Sequence, residues 1–143
     1  MYAEKTSVPV DRSQAEIRKT LSKYQATGFA FAESNANAMI MFELQGRRIM
    51  FRLPLPPPPS SNATQASIKT YDQLCRSKWR ALVLGIKAKL ECVSSGITTL
   101  EQEFLAHIVL PNNQTVGDVM IPQIAQAYTS QQMPPLLGYG GTR

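Results

Sequence analysis

Arg47 and Arg48 stand side by side in "GRRIMFRLPLPPPPS", residues 46–60, and Arg52 follows four residues later. Guanidinium groups at this density bind anions, phosphate above all, because each planar fork donates to two oxygens at once. Lys69, Arg76, Lys78, Arg80, Lys87 and Lys89 follow, so residues 47–89 hold nine cations against Asp72 alone. Residues 1–46 carry five basic and five acidic side chains, and residues 90–143 carry Arg143 against Glu91, Glu101, Glu103 and Asp118. The net charge of +5 is therefore concentrated in the middle of the chain. Such a surface neutralises nucleic-acid phosphates, with a steep dependence on salt. Single strands also need stacking platforms, for which Tyr71, Phe29, Phe31 and Trp79 are the candidates.

Catalytic chemistry has less to work with. His107 is the single histidine and sits in the apolar stretch "FLAHIVL", where it reads as a packing residue. Glu101 and Glu103 are two residues apart and so point to different faces of a helix. No nucleophile elbow, phosphate-binding loop or metal-binding helix motif is present. Gly138, Gly140 and Gly141 lie in the C-terminal tail with no helix after them to hold a phosphate. The sequence is thus expected to be no enzyme, with no cofactor and no metal. Cys75 and Cys92 fall in one expected helix, about 25 Å apart along its axis. They cannot bridge one another there and read as free thiols of a reducing compartment.

The elements that must position the cations can be read from spacing. At 43% apolar residues the chain folds around a core, and its length suits one domain. Residues 1–10 are expected to be a flexible arm without the apolar core of a signal peptide. Asp11 or Ser13 is expected to cap a first helix, with Glu16 completing a capping box and Gly28 ending the helix. Three strands follow, "FAFAES", "NAMIMFEL" and "RRIMFRLPL", the last two flanking a Gln45-Gly46 hairpin turn. That turn sets Leu44 opposite Arg47, Phe42 opposite Ile49 and Ile40 opposite Phe51 on a core face. On the other face Glu43 meets Arg48, Met41 meets Met50 and Met39 meets Arg52. Arg52 then has no acidic partner in its pair and is expected to matter more to an anionic ligand than Arg48.

A Pro/Ser-rich linker at 55–68 comes next, since proline cannot join a central strand. The long helix after it carries Cys75, Trp79, Leu82, Val83, Ile86, Leu90 and Val93 at steps of three and four. Trp79, Phe29 and Phe31 all lie on core faces and read better as packing residues than as platforms. Arg76, Arg80 and Lys87 share one flank of the helix, and Lys78 and Lys89 another. Gly96 ends it. Thr98 with Glu101 is expected to cap the helix "TLEQEFLAHIV", and Thr115 with Asp118 to start a last helix bent near Pro122. The expected fold class is α+β: an N-terminal helix, a three-stranded antiparallel meander, a long amphipathic helix and shorter C-terminal helices packed on one sheet face. The domain spans 11–130, and 131–143 is an extended tail.

The stretches "GFAFAESNANAMIMFELQGRRIMFRLPLP", "WRALVLGIKAKLE" and "EFLAHIVLPNNQTVGD" resemble a family of small, uncharacterised proteins of tailed bacteriophages and prophages. The resemblance covers roughly residues 8–137 and brings no catalytic residues with it. It implies a phage protein acting in the host cytoplasm, near replication and recombination. Together with the basic centre it leads to the expectation of a single-stranded DNA-binding protein. Arg47, Arg48, Arg52, Lys69, Arg76, Lys78, Arg80, Lys87 and Lys89 supply its cationic surface. No run approaches the length of a membrane span, and no membrane partner is expected. The alternative is a homo-oligomeric interaction module that modulates a phage or host protein, counter-defence included. Met39, Met41 and Met50, which need cover on the second sheet face, favour it.

Overall fold

The two-residue turn at Gln45-Gly46 organises the sheet. Both residues take positive φ, 51° and 75°, the backbone twist that joins tightly paired antiparallel strands. The computed structural model describes residues 3–133. In it, β1 (Thr27–Ser34), β2 (Asn37–Leu44) and β3 (Arg47–Pro54) form an antiparallel sheet in the order β1-β2-β3. The β2–β3 register is the expected one, from Leu44↔Arg47 through Ile40↔Phe51 to Met39↔Arg52. Gly28, at φ +65°, sits at an irregularity in β1 between Thr27 and Ala30.

Three helices, α1 (Val10–Lys23), α2 (Gln65–Ser94) and α3 (Leu100–Phe104), bury the first sheet face. Cys75, Trp79, Val83, Ile86 and Leu90 of α2 are buried, with Leu82 and Val93 half-buried beside them. Trp79 meets Phe31 of β1 at 6.2 Å between ring centres. Phe104 of α3 sets its edge on Phe42 and Phe51 at 6.3 and 6.2 Å. The α+β architecture is thus that expected: one helix, a meander, a long helix, then shorter helices ending in α4 (Val116–Ser130). Among the described residues no helix is long and apolar enough to cross a membrane.

The boundaries differ from expectation where long-range contacts intervene. The arm is not loose over its described part. Ala3 is buried, and the Gln73 amide of α2 donates to the carbonyls of Glu4 and Thr6 at 3.2 and 2.9 Å. α1 starts at Val10 behind Pro9, with no side-chain cap, and Ser13 lies fully buried inside it. Glu16 is drawn off to α2 instead of closing a capping box. Gln25, at φ 68°, takes the left-handed position that ends α1, well before Gly28.

The linker is shorter than 55–68. Thr64 caps α2 by accepting from the Ser67 amide, so residues 65–68 are helical. Leu55 is buried and its amide donates to the Ala36 carbonyl at 3.0 Å, which prolongs the edge of the sheet. Pro56, Pro57 and Pro59 then face Thr70, Tyr71 and Leu74 of α2 across a shallow groove.

After α2, Thr99 and Gln102 form the capping box, one residue beyond the expected Thr98 and Glu101. Thr98 is occupied with the Glu103 carboxylate, 3.0 Å away. The helix closes early, at Phe104, with one 3-10 turn over Leu105–His107. Ile108 and Val109 then leave helical geometry to pair with β3, and the Val109 amide donates to the Arg48 carbonyl at 2.8 Å. Two β-branched residues beside an open strand edge satisfy backbone groups that a longer helix would leave unpaired. Thr115 and Asp118 cap α4 as expected, and Pro122 lies inside it. Gln131, at φ 60°, ends α4. The expected tail lies outside the described residues from 134 onward.

Candidate nucleic-acid interface

The nine expected cations do not gather into one surface, and five of them are held by carboxylates. Arg47 pairs with Glu101 at 3.1 Å, and Lys89 with Glu103 at 3.4 Å. Arg80 reaches Glu16 at 2.7 Å, and Lys87 bonds the other oxygen of the same carboxylate. Arg52 is opposite Met39, as expected, yet its guanidinium grips Asp118 with two bonds of 3.0 Å. The cross-strand pair itself holds no acid, as expected, but Arg52 is not left open to an anionic ligand, because α4 supplies the carboxylate. The strand pairing was legible, but the acid comes from α4, 66 residues away. Every one of these carboxylates lies outside residues 47–89, so the uneven charge map is in part a set of folding contacts.

The others are less committed. Arg48 donates to Asn113 Oδ1 at 3.2 Å, and Arg76 to Gln73 Oε1 at 2.6 Å. Lys69 and Lys78 are exposed. Arg48 and Arg52 belong to the second sheet face, whereas Arg76, Arg80 and Lys87 run along the flank of α2 that meets α1.

That flank is half of a groove. Residues 4 and 6 meet Gln73, Glu16 meets Arg80 and Lys87, and Lys23 lines the same cleft as Glu91. The two helices therefore run in the same direction. Between them opens a cleft of about 690 Å³ lined by Arg12, Glu16, Lys19, Lys23 and Tyr24 of the α1 side and Lys87 and Glu91 of α2. Four cations thus line it with two carboxylates, and Arg80 bonds one of these, Glu16. Arg12, Lys19 and Lys23 are exposed and make no ion pair among the described residues. Arg80 and then Lys87 hold the Glu16 carboxyl below the usual range, so it stays ionised and fixes both cations at the cleft.

Sequence reasoning missed Arg12, Lys19 and Lys23. Residues 1–46 sum to zero charge, but Glu33 and Glu43 sit on the sheet, away from α1. The usable signal was position: 12, 16, 19 and 23 recur at steps of three and four and so share one helix face.

The aromatic candidates sort clearly. Trp79 is 1% exposed and is core. Phe29 and Phe31 are half-buried beneath the Arg18 guanidinium, 5.9 and 5.3 Å from the ring centres. Tyr71 is half-buried against the linker and the core, and the neighbouring Cys75 raises its pKa. Tyr24, at the end of α1, is half-buried: it packs against the core and also lines the cationic cleft.

Other chemistry is sparse. His107 stacks on Phe51 at 4.0 Å, and burial pushes its pKa down, with the nearby Lys89 charge adding to the effect. Both thiols are free, and burial pushes that of Cys75 up. Among the described residues no three of His, Cys, Asp and Glu gather to hold a metal ion.

The Arg52–Asp118 clamp yields a prediction of its own. Hydrogen bonds from Arg52, then from the Thr115 amide, lower the Asp118 pKa from 3.8 to about 2. A carboxyl depressed on folding stabilises the native state above its unfolded pKa, and this contribution is lost as pH falls through the folded one. Asp118→Asn is expected to destabilise the protein by about 1 kcal/mol at neutral pH, the size of a cap with an exposed ion pair. Urea denaturation at descending pH should show the gap between wild type and variant closing from about pH 4 to pH 2. A gap that persists at pH 2 would contradict the clamp.

Comparison with protein-family models, with curated proteins and with solved structures found no match for this chain.

Proposed function

We propose that this protein is a non-enzymatic binder of single-stranded DNA and that the α1–α2 cleft is where the strand lies. The observation that carries the reading is the convergence of Arg12, Lys19, Lys23 and Lys87 on one open groove with Tyr24 in its wall. Cations on both walls suit a phosphate backbone running along the groove, and every base has a face that a tyrosine ring can stack on. In a duplex the bases already stack on one another and offer no free face to Tyr24. Arg76 and Arg80 continue the track along α2. The phage resemblance suggests a setting in replication or recombination in the host cytoplasm.

The test is fluorescence anisotropy with a labelled single-stranded oligonucleotide, its duplex and the matching RNA, at low and moderate salt. Single-stranded DNA should bind most tightly, and added salt should weaken it. No binding to single-stranded DNA at low salt would overturn the reading. One observation favours a protein-interaction module, acting on a phage or host enzyme, as the second reading: the exposed apolar side chains of α4.

A further inference from the structure

The start of α4 is tied firmly to the domain. Gly117 is buried with the Ala106 carbonyl so close that a Cβ would lie 2.9 Å from it, and Asp118 is clamped by Arg52. From Val119 to the end of α4 no residue is buried. Ile121 is 63% exposed, Ile124 49% and Tyr128 79%. A helix of 15 residues with a proline inside it is marginal in water unless an apolar face is covered. Single exposed apolar residues are ordinary, but these are spaced to form a seam. Ile121, Ile124, Ala125 and Tyr128 stand at i, i+3, i+4 and i+7, one stripe along a helix.

We infer that this stripe is a homodimer seam, on which α4 of a second copy packs antiparallel across a two-fold axis. Two features choose a second copy as the occupant. The first is charge. Residues 119–133 contain no Asp, Glu, Lys, Arg or His in a chain of net charge +5. The net charge of each copy opposes association, and this helix adds nothing to that repulsion. A charged partner finds nothing on it to pair with. The second feature is symmetry. A two-fold contact sets the same patch against itself, so the stripe must read alike in both directions. An axis beside Ile124 and Ala125 sets Ile121 against Tyr128 of the second copy and Ile124 against its Ala125. Large meets large at the ends, and branched meets small in the middle, where Ala125 lets the helices approach closely. This inference does not depend on DNA binding.

Sedimentation velocity on the full chain, over a concentration series from low to high micromolar, tests it. The seam is short, so a dissociation constant on the order of micromolar is expected. Ile124→Lys places two like charges across the axis and should raise that constant by at least about thirtyfold, the effect of losing a central anchor. As a check that does not rely on a destabilised helix, Ile124→Cys should form a disulfide-linked dimer in air. Ile97→Cys, at a site 72% exposed and off the seam, should not. A wild type that remains monomeric throughout overturns the inference, whatever else covers the stripe. So does a dimer that Ile124→Lys leaves intact, or equal cross-linking at Ile97→Cys.

Discussion

Trp79→Ala is expected to cost about 3–5 kcal/mol, the range for truncating a large buried aromatic. Trp79 is the largest of the fully buried side chains, 1% exposed, with Phe31 at 6.2 Å. Deleting the indole removes its burial and leaves a cavity. α1, α2 and the sheet cannot close that cavity without shifting the parallel helix pair. Among the described residues Nε1 has no hydrogen-bond partner, so the substitution forfeits packing and no polar contact there. A domain of this size has roughly 5–15 kcal/mol in all, and the variant would be left marginal. The chain has one tryptophan, so its fluorescence disappears with it, and denaturation must be followed by circular dichroism. Wild-type stability in the variant would mean that the α2 stripe is not the core.

The second large effect is expected in binding. Lys19→Ala/Lys23→Ala removes two exposed cations from one wall of the cleft, neither of them held by a carboxylate among the described residues. The dependence of log K on log salt should flatten by roughly 1.4, twice the value of one single-strand phosphate contact. Affinity at low salt should fall about tenfold or more, since each contact contributes through counterion release. Stability should change by no more than about 0.5 kcal/mol per site, as both positions are exposed. Arg52→Ala is the contrast. Its guanidinium is committed to Asp118, so it should leave the salt slope near that of wild type and weaken the anchoring of α4 instead. A flattened slope in Arg52→Ala with none in the double variant would move the interface to the sheet.

What could be read from the sequence was what local rules determine. The β2–β3 register follows from a two-residue turn and a period of two, and each pair from Leu44↔Arg47 to Met39↔Arg52 is where that arithmetic puts it. The α2 stripe follows from a period of 3.6, and the cap of α4 from Thr115 and Asp118 three residues apart. What could not be read depends on which distant groups meet. Gln73 reaches back to the arm, Glu16 leaves its own helix end for Arg80 and Lys87, and Asp118 crosses to Arg52. The same limitation bears on the candidate site. Summing charge along the chain favours residues 47–89, but several of those cations are neutralised by acids from elsewhere. The unpaired ones on α1 belong to a segment whose charges cancel only on paper.

The most direct test of the α1–α2 cleft as the DNA site is photocrosslinking. The full chain is bound at low salt to a single-stranded oligonucleotide carrying iodinated deoxyuridine, irradiated, digested and mapped by mass spectrometry. A base stacked in the cleft predicts the principal adduct on Tyr24, and this adduct should fade as salt displaces the strand. Adducts concentrated on the second sheet face, at Met39, Met41 or Met50, would contradict that placement. Absence of any adduct at a concentration that saturates binding to α1–α2 would contradict it equally.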